Sequence, residues 1–439
     1  MSGSQLSRAR ESLWYEIFEN DERADGWADE VRIAAIDSRF SRPDWNILVT
    51  PMILDAEDIC RLHGRLSRLR ILLNELARST FASEGAAFLS RIGMPPETAT
   101  ALDLPGKGLF PCRWDVLETA QGWRAVEINA TGALGVFATD AAQGKYDAIA
   151  AELGLSGTEG WTSLSRVVGA TVGELAIETG AESIVVLVDS CTRGEYLPIA
   201  RGVEEMLTRT TGLETSIADE REVLGKCYRN LPLLAYQCSA VSDRSVEPGR
   251  YVAFDEAVRA GRIIPIIDHW VDVVANKAML AIAWERSDAG LLDSQDTGLL
   301  RDLVPRTLFL TGANRDAVIA DRAAWVLKTA VGHGGYQVKC GWEMTGRDWT
   351  SALDAVAADY GVVALLQQRV IGLDRRGIGL TPGGDFLFMS APQLLGLFQE
   401  RQNFAGACSR QSPHAGGVVS VGSGAALGVV RTLDSATTR

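Results

Sequence analysis

The chain has 439 residues, 46% hydrophobic and 23% charged, with a formal net charge of −13; this is globular composition with length for two or three cores, and the acidic field disfavours a nucleic-acid partner. Its seven cysteines (Cys60, Cys112, Cys191, Cys227, Cys238, Cys340 and Cys408) are odd in number and form no C-x-x-C pair, which argues against a disulfide framework or zinc knuckle and for a reducing, cytoplasmic compartment. The N-terminal MSGSQLSRARESLWYE lacks an apolar signal core, no run of about 18 apolar residues suggests a membrane span, and the four histidines show no ligand spacing.

The first hundred residues read as helical. Over Asp55 to Phe81, Ile59, Leu62, Leu66, Leu69, Leu73 and Leu76 fall at helical spacing with charged residues on the other face, the pattern of a packing helix. From Lys107 to Asn129 the pattern turns extended. SIVVLVDS is a continuous apolar run followed by ARGVEEMLTRTTG at helical spacing, and LPLLAYQCSA (231–240) and RIIPIID (262–268) read as further strands of one parallel sheet, an α/β domain at about 175–275. Then NKAMLAIAWE reads as a helix, AAWVLKTA as a strand, GHGG as a loop, TSALDAVAADYG as a helix and VVALLQQRV as a strand. The last 70 residues are glycine-rich, above all AGGVVSVGSGAALGVV (415–430). No internal repeat is visible.

RWDVLETAQGWRAVEIN (113–129) alternates apolar and polar residues on both sides of Ala120-Gln121-Gly122. A three-residue hairpin loop ending in a left-handed glycine places Thr119 opposite Trp123, and so Asp115 opposite Glu127 and Arg113 opposite Asn129, all four on one face. Two opposed carboxylates repel, and a hard divalent cation compensates them; magnesium favours such oxygen ligands, and Asn129 completes the set. Arg113 offers a planar cation suited to phosphate oxygens. A solvated strand face with a chance charge cluster is the plain alternative.

In WVLKTAVGHGG (325–335), Lys328 precedes a glycine-dense loop whose backbone N–H groups can cradle phosphate; it is no Walker A motif, and a plain turn would look the same. The strand VVALLQQRV closes on Gln367 and Gln368, able to hydrogen-bond an adenine edge or simply leaving the core. Lys277 in NKAML, near a helix start, is by itself an ordinary surface lysine.

Together, R-W-D (113–115) with E-I-N (127–129), NKAMLAIAWE (276–285), WVLKTAVGHGG and LLQQRV (365–370) resemble, in order and spacing, the glutathionylspermidine synthase-like family. The match covers roughly 105–135 and 262–370. The resemblance implies a mixed α+β and α/β molecule, a circularly permuted ATP-grasp fold with an inserted α/β (pre-ATP-grasp-like) domain and a helical N-terminal region. Its expected division is a helical region at 1–104, a permuted ATP-grasp segment with the hairpin at 105–170, a substrate-side α/β domain at 171–275, and nucleotide-binding segments with the glycine-rich C-terminal region at 276–439. It implies ATP and Mg2+ as cofactors: Arg113 at the transferred phosphate, Asp115, Glu127 and Asn129 on the metal, Lys277 and Lys328 on the ATP phosphates, Gly332, Gly334 and Gly335 in a lid, and Gln367 and Gln368 at the adenine.

The implied chemistry is amide formation between a small-molecule carboxylate and an amine (amino acid, peptide or polyamine-like) through an acyl phosphate, with no nucleophile on the protein. Neither nucleic acid nor membrane is an expected partner, and a homodimer is the assembly allowed for. The sequence departs from the family where GIGL is followed by Thr381 and Pro382 instead of an arginine. Arg376, Arg401 and Arg410 stand as substitutes, and neither an amidase domain nor a glutathione or spermidine region is recognisable. A phosphotransferase and a non-catalytic nucleotide-binding scaffold are the alternatives.

Overall fold

In this computed structural model, residues 3–37, 44–104, 108–130, 137–154, 158–159, 164–190, 193–226, 231–238, 249–332, 337–359, 362–414 and 417–433 are described. Alternation and apolar runs sort the strands into three sheets. The first five are β1 (Ile47–Leu48), β2 (Met52–Asp55), β3 (Pro111–Thr119), β4 (Gly122–Ala130) and β5 (Thr158–Glu159). The next four, β6 (Ser183–Leu187), β7 (Glu214–Ala218), β8 (Leu233–Gln237) and β9 (Ile263–Pro265), form an all-parallel sheet in the order β7-β6-β8-β9. SIVVLVDS, LPLLAYQ and RIIPIID supply three of these strands. β7 escapes a reading by apolar runs because ETSIA is half polar and sits at the sheet edge.

β10 (Thr307–Phe309), β11 (Trp325–Thr329), β12 (Lys339–Cys340) and β13 (Ala364–Gln368) make a small antiparallel sheet, β10-β13-β11-β12. One face of it is covered by the helices Gly312–Ala320 and Gly346–Ala358 through Val318, Trp349 and Leu353, which pack on Leu327 and Leu366. The glycine-rich C-terminal region then returns to the first sheet as β14 (Asp374–Leu380), β15 (Phe386–Glu400), β16 (Asn403–Gln411) and β17 (Ala426–Leu433). That sheet is mixed and nine-stranded, ordered β14-β1-β17-β16-β15-β3-β4, with β2 and β5 also on β17 and β14 closing back onto β15.

The opening region is helical over Gly3–Asn20 and Ala24–Asp37, yet β1 and β2 interrupt it and join β17 in parallel. Both strands are too short for a periodic signal. The helix Ala56–Glu84 begins where Asp55 accepts from the backbone N–H groups of Glu57 and Asp58, at 2.9 and 3.2 Å. It lies behind the large sheet and is tied to it by Gln399, which donates to Ser67 Oγ (3.0 Å) and accepts from Trp114 Nε1 (3.1 Å). Among the described residues no helix is long and apolar enough to cross a membrane.

Candidate active site

The hairpin β3–β4 sets the geometry. Thr119 pairs with Gly122 and Glu118 with Trp123, so the loop is the two residues Ala120-Gln121 and not the three-residue loop expected; Gly122 holds φ +105°. A bulge at Val126 then supplies the extra residue. Asp115 consequently does stand opposite Glu127, and Arg113 opposite Asn129. The carbonyl of Val126 is turned to Lys328, whose Nζ donates to it at 3.1 Å. Alternation sends Cys112 and Trp114 into the core and Arg113 and Asp115 into a cavity of about 710 Å³.

Asp115 is 4% exposed. Arg113 donates to both its oxygens (Nε to Oδ1 2.7 Å, NH2 to Oδ2 3.1 Å), Asn129 Nδ2 donates to Oδ2 at 3.1 Å, and the guanidinium of Arg410 pairs with Oδ1 at 2.5 Å. Burial alone would raise this carboxyl, but Arg113 and Arg410 outweigh burial and hold it well below the usual carboxylate range. The compensation that opposed carboxylates require is thus supplied here by two arginines. Glu127, half-buried, has no hydrogen bond or ion pair among the described residues, and neither does Asn129 Oδ1. Both are cavity-lining oxygens with free acceptor capacity.

Across the cavity, Lys328 on β11 is 8% exposed and donates to Gln367 Oε1 at 2.8 Å. Burial pushes its ammonium below the ordinary lysine range, against the pull of Glu127. With two N–H groups taken by Gln367 and Val126, a third remains for a ligand. Gln367 is buried and Gln368 exposed, and both line the cavity beside the connection from β13 to β14. Lys277 is not among its described lining residues. It caps the helix Ala278–Asp288, and its Nζ donates to the Gly332 carbonyl at 2.7 Å, at the base of the glycine loop. Gly334 and Gly335, and so most of the expected lid, lie outside the described residues.

Among the three C-terminal arginines, Arg410 is the one in the cavity. Arg376 lies over the Tyr15 ring at 3.6 Å, and Arg401 donates to the Gly108 carbonyl at 2.9 Å. Arg410 is 7% exposed, and its Nε has no hydrogen-bond partner among the described residues. The glycine-rich stretch also contributes a wall: residues 417–422 line the cavity ahead of β17. Neither contribution has a local motif; each depends on strand pairing across the sheet.

Four cations (Arg113, Lys328, Arg369 and Arg410), the acceptor oxygens of Glu127 and Asn129 and a largely apolar wall suit a polyphosphate anion, with charge spread over several groups. The thiols lining the cavity are not activated. Burial raises Cys408 in spite of Arg410 and Arg113 beside it, and Cys340 is pushed up to about 12 by burial first and Glu343 second.

No protein-family model matches the sequence, and no curated protein matches it. Among solved structures, a glutathione synthetase-like effector from Globodera pallida, in its apo form, is similar with TM-score 0.63 at 12% identity, over 94% of this chain and 98% of that one. A Methylobacillus flagellatus protein named as a candidate gamma-glutamylcysteine synthetase aligns at TM-score 0.38 and 12% identity, over 82% of this chain and 83% of that one. The fold is therefore like that of the glutathione synthetase-like effector.

Proposed function

We propose that this chain is an ATP-dependent carboxylate–amine ligase of the permuted ATP-grasp type, joining a small-molecule acid to an amine with release of ADP and phosphate. The observation that carries the reading is the cavity between the large and small sheets, lined by Arg113, Arg410 and Lys328 together with Glu127 and Asn129, whose carboxylate oxygens and Oδ1, respectively, have no hydrogen-bond partner among the described residues. In this reading the acid's carboxylate oxygen attacks the terminal phosphorus of ATP and ADP departs. The amine nitrogen then attacks the acyl carbon, the C–O bond to phosphate breaks, and the nitrogen loses a proton. Arg113 and Arg410 stabilise charge on the transferred phosphoryl group, Lys328 neutralises the ATP phosphates, and Gln367 and Gln368 border the base. Lys277 holds the base of the glycine loop at Gly332 and so acts on the phosphates from that loop.

The donors fit magnesium. Glu127 and Asn129 would hold it, with Asp115 facing them across the hairpin, in keeping with an ion that takes one or two protein oxygens and completes its shell with phosphate and water. When bound, the ion would screen phosphate charge. An ADP-release screen over acid and amine pools, with mass detection of the condensed product, tests the reading. A condensed product requiring both substrates is the expected result. ADP formed with a stable phosphorylated acid and no amine requirement would replace the ligase with a phosphotransferase, and no nucleotide turnover with any pool would leave a binding scaffold.

A further inference from the structure

Gly396 lies in the middle of β15, opposite Asp115 on β3 and opposite Cys408 on β16. Nothing about its backbone calls for glycine, since it is regular strand without a positive φ. The space above it does. A Cβ placed there would sit 2.8 Å from Arg113 Cδ, 3.3 Å from Arg113 Cγ and 2.8 Å from Cys408 Sγ. The Arg113 stem therefore lies flat over the bare backbone of β15, a posture available only because that position has no side chain. Flattened in this way, Arg113 brings Nε to Asp115 Oδ1, the same oxygen that Arg410 reaches from β16.

The contact cannot be relieved cheaply. Arg113 is pinned at its far end by two hydrogen bonds to a buried carboxylate. Cys408 is 2% exposed and borders the same cavity, so the pinned arginine stem is the harder of the two contacts to relieve. A methyl group at 396 must lift the arginine stem into the cavity and swing its guanidinium away from Arg410.

We propose that Gly396 is a positioning residue: it seats Arg113 flat across β15 so that two guanidinium groups converge on one carboxylate oxygen and face the cavity as a pair. The functional half of this proposal rests on the ligase reading, in which that pair meets the terminal phosphate. The geometric half does not.

The test is a double-mutant cycle on the full chain with Gly396→Ala, Arg113→Ala and the double variant, read in two ways. Urea unfolding tests the seat. Gly396→Ala is expected to destabilise the wild type but to cost clearly less in the Arg113→Ala background, where the stem is gone. Equal costs in both backgrounds would overturn the proposal.

Calorimetric titration with Mg-ATP and Mg-ADP tests the consequence. Each single variant is expected to lower the ATP-over-ADP preference by about 10-fold, and the double variant no further than Arg113→Ala alone. An unchanged preference in Gly396→Ala, or losses that add, would overturn it. Combining Gly396→Ala with Cys408→Ala separates the two contacts. If removing the thiol restores the preference, the glycine serves sulfur packing and the proposal fails; if the loss persists, the arginine stem is the cause. A wild type that binds neither nucleotide would remove the ligase reading instead, while the unfolding cycle would still decide whether Gly396 seats Arg113.

Discussion

Each oxygen of Asp115 meets two nitrogen groups, so the charge it brings to the hairpin is neutralised before any ligand arrives. That changes what to expect of its neighbour. Had the carboxylates faced each other uncompensated, Glu127→Gln would stabilise the ligand-free protein. With Arg113, Arg410 and Lys328 around them, Glu127 is attracted to its surroundings, and Glu127→Gln should leave the thermal midpoint unchanged or slightly lower, within about 1 kcal/mol of unfolding free energy. Magnesium-dependent nucleotide turnover should nevertheless fall by about 100-fold or more. A variant that is more stable, or as active as the wild type, would contradict the electrostatic account. Lys328→Met keeps the buried stem and removes a charge that burial disfavours. It should weaken Mg-ATP binding by about 10-fold or more in calorimetry, whereas Lys145→Met, on an exposed lysine 3.3 Å from Glu30, should not.

At the scale of the elements, the bulge at Val126 adjusts the count so that Glu127, and not Val126, stands opposite Asp115. Deleting Val126 would remove the extra residue and leave Ala125 opposite Val116 and Glu127 opposite Asp115 in a regular ladder, with Glu127 and Asn129 still on the cavity face. The deletion is expected to keep Mg-ATP binding within about 10-fold of the wild type and to cost about 1 kcal/mol in urea unfolding, through the lost Val126 carbonyl that Lys328 meets. Abolished binding in a folded variant would mean that this carbonyl, by way of Lys328, sets the site. The opposition of Asp115 and Glu127 was legible in the sequence, but through a compensating pair of local errors: the turn is one residue shorter than glycine placement suggested, and the bulge restores the count. A bulge carries no composition signal, and Val126 looks like any strand valine.

The turn from β15 to β16 offers a pH test. Glu400 is 1% exposed and accepts from the Phe110 backbone N–H at 3.2 Å. Burial raises its carboxyl above the ordinary value of 4.5, so the folded state holds the proton more tightly than the unfolded one. Its contribution to stability is full below that value and is lost as pH rises toward the raised one. Glu400→Gln should therefore be more stable than the wild type at pH 7, by about 1 kcal/mol, with the gap closing at pH 4 in thermal melts. A gap independent of pH would assign the effect to packing.

Over the whole molecule, the candidate site belongs to no single sheet. Arg113, Asp115, Glu127, Asn129 and Arg410 stand on the large sheet, while Lys328 and Gln367 stand on the small one. A nucleotide between them would join the two, and at 100 times its dissociation constant should raise the melting temperature by about 3 °C. Hydrogen exchange should then slow in both β3–β4 and β11–β13; protection confined to one sheet would contradict a shared site. This joining explains what sequence reading missed. The local motifs at 113–129, 325–335 and 365–370 were visible because each is contiguous. Arg410 could be named only beside Arg376 and Arg401 with no choice among them, and the 417–422 wall not at all, because only the return of the glycine-rich C-terminal strands to a sheet begun at β1 brings them to the cavity.

The clamp on Asp115 also fixes when entropy is lost. An arginine side chain carries about 2 kcal/mol of rotamer freedom. Arg113 and Arg410 surrender much of theirs during folding, held against a carboxylate at the bottom of the cavity. Catching an anion then requires little further ordering of the receptor, which behaves as a mould already set. The calorimetric signature of nucleotide capture should accordingly owe little of its unfavourable entropy to the arginine pair.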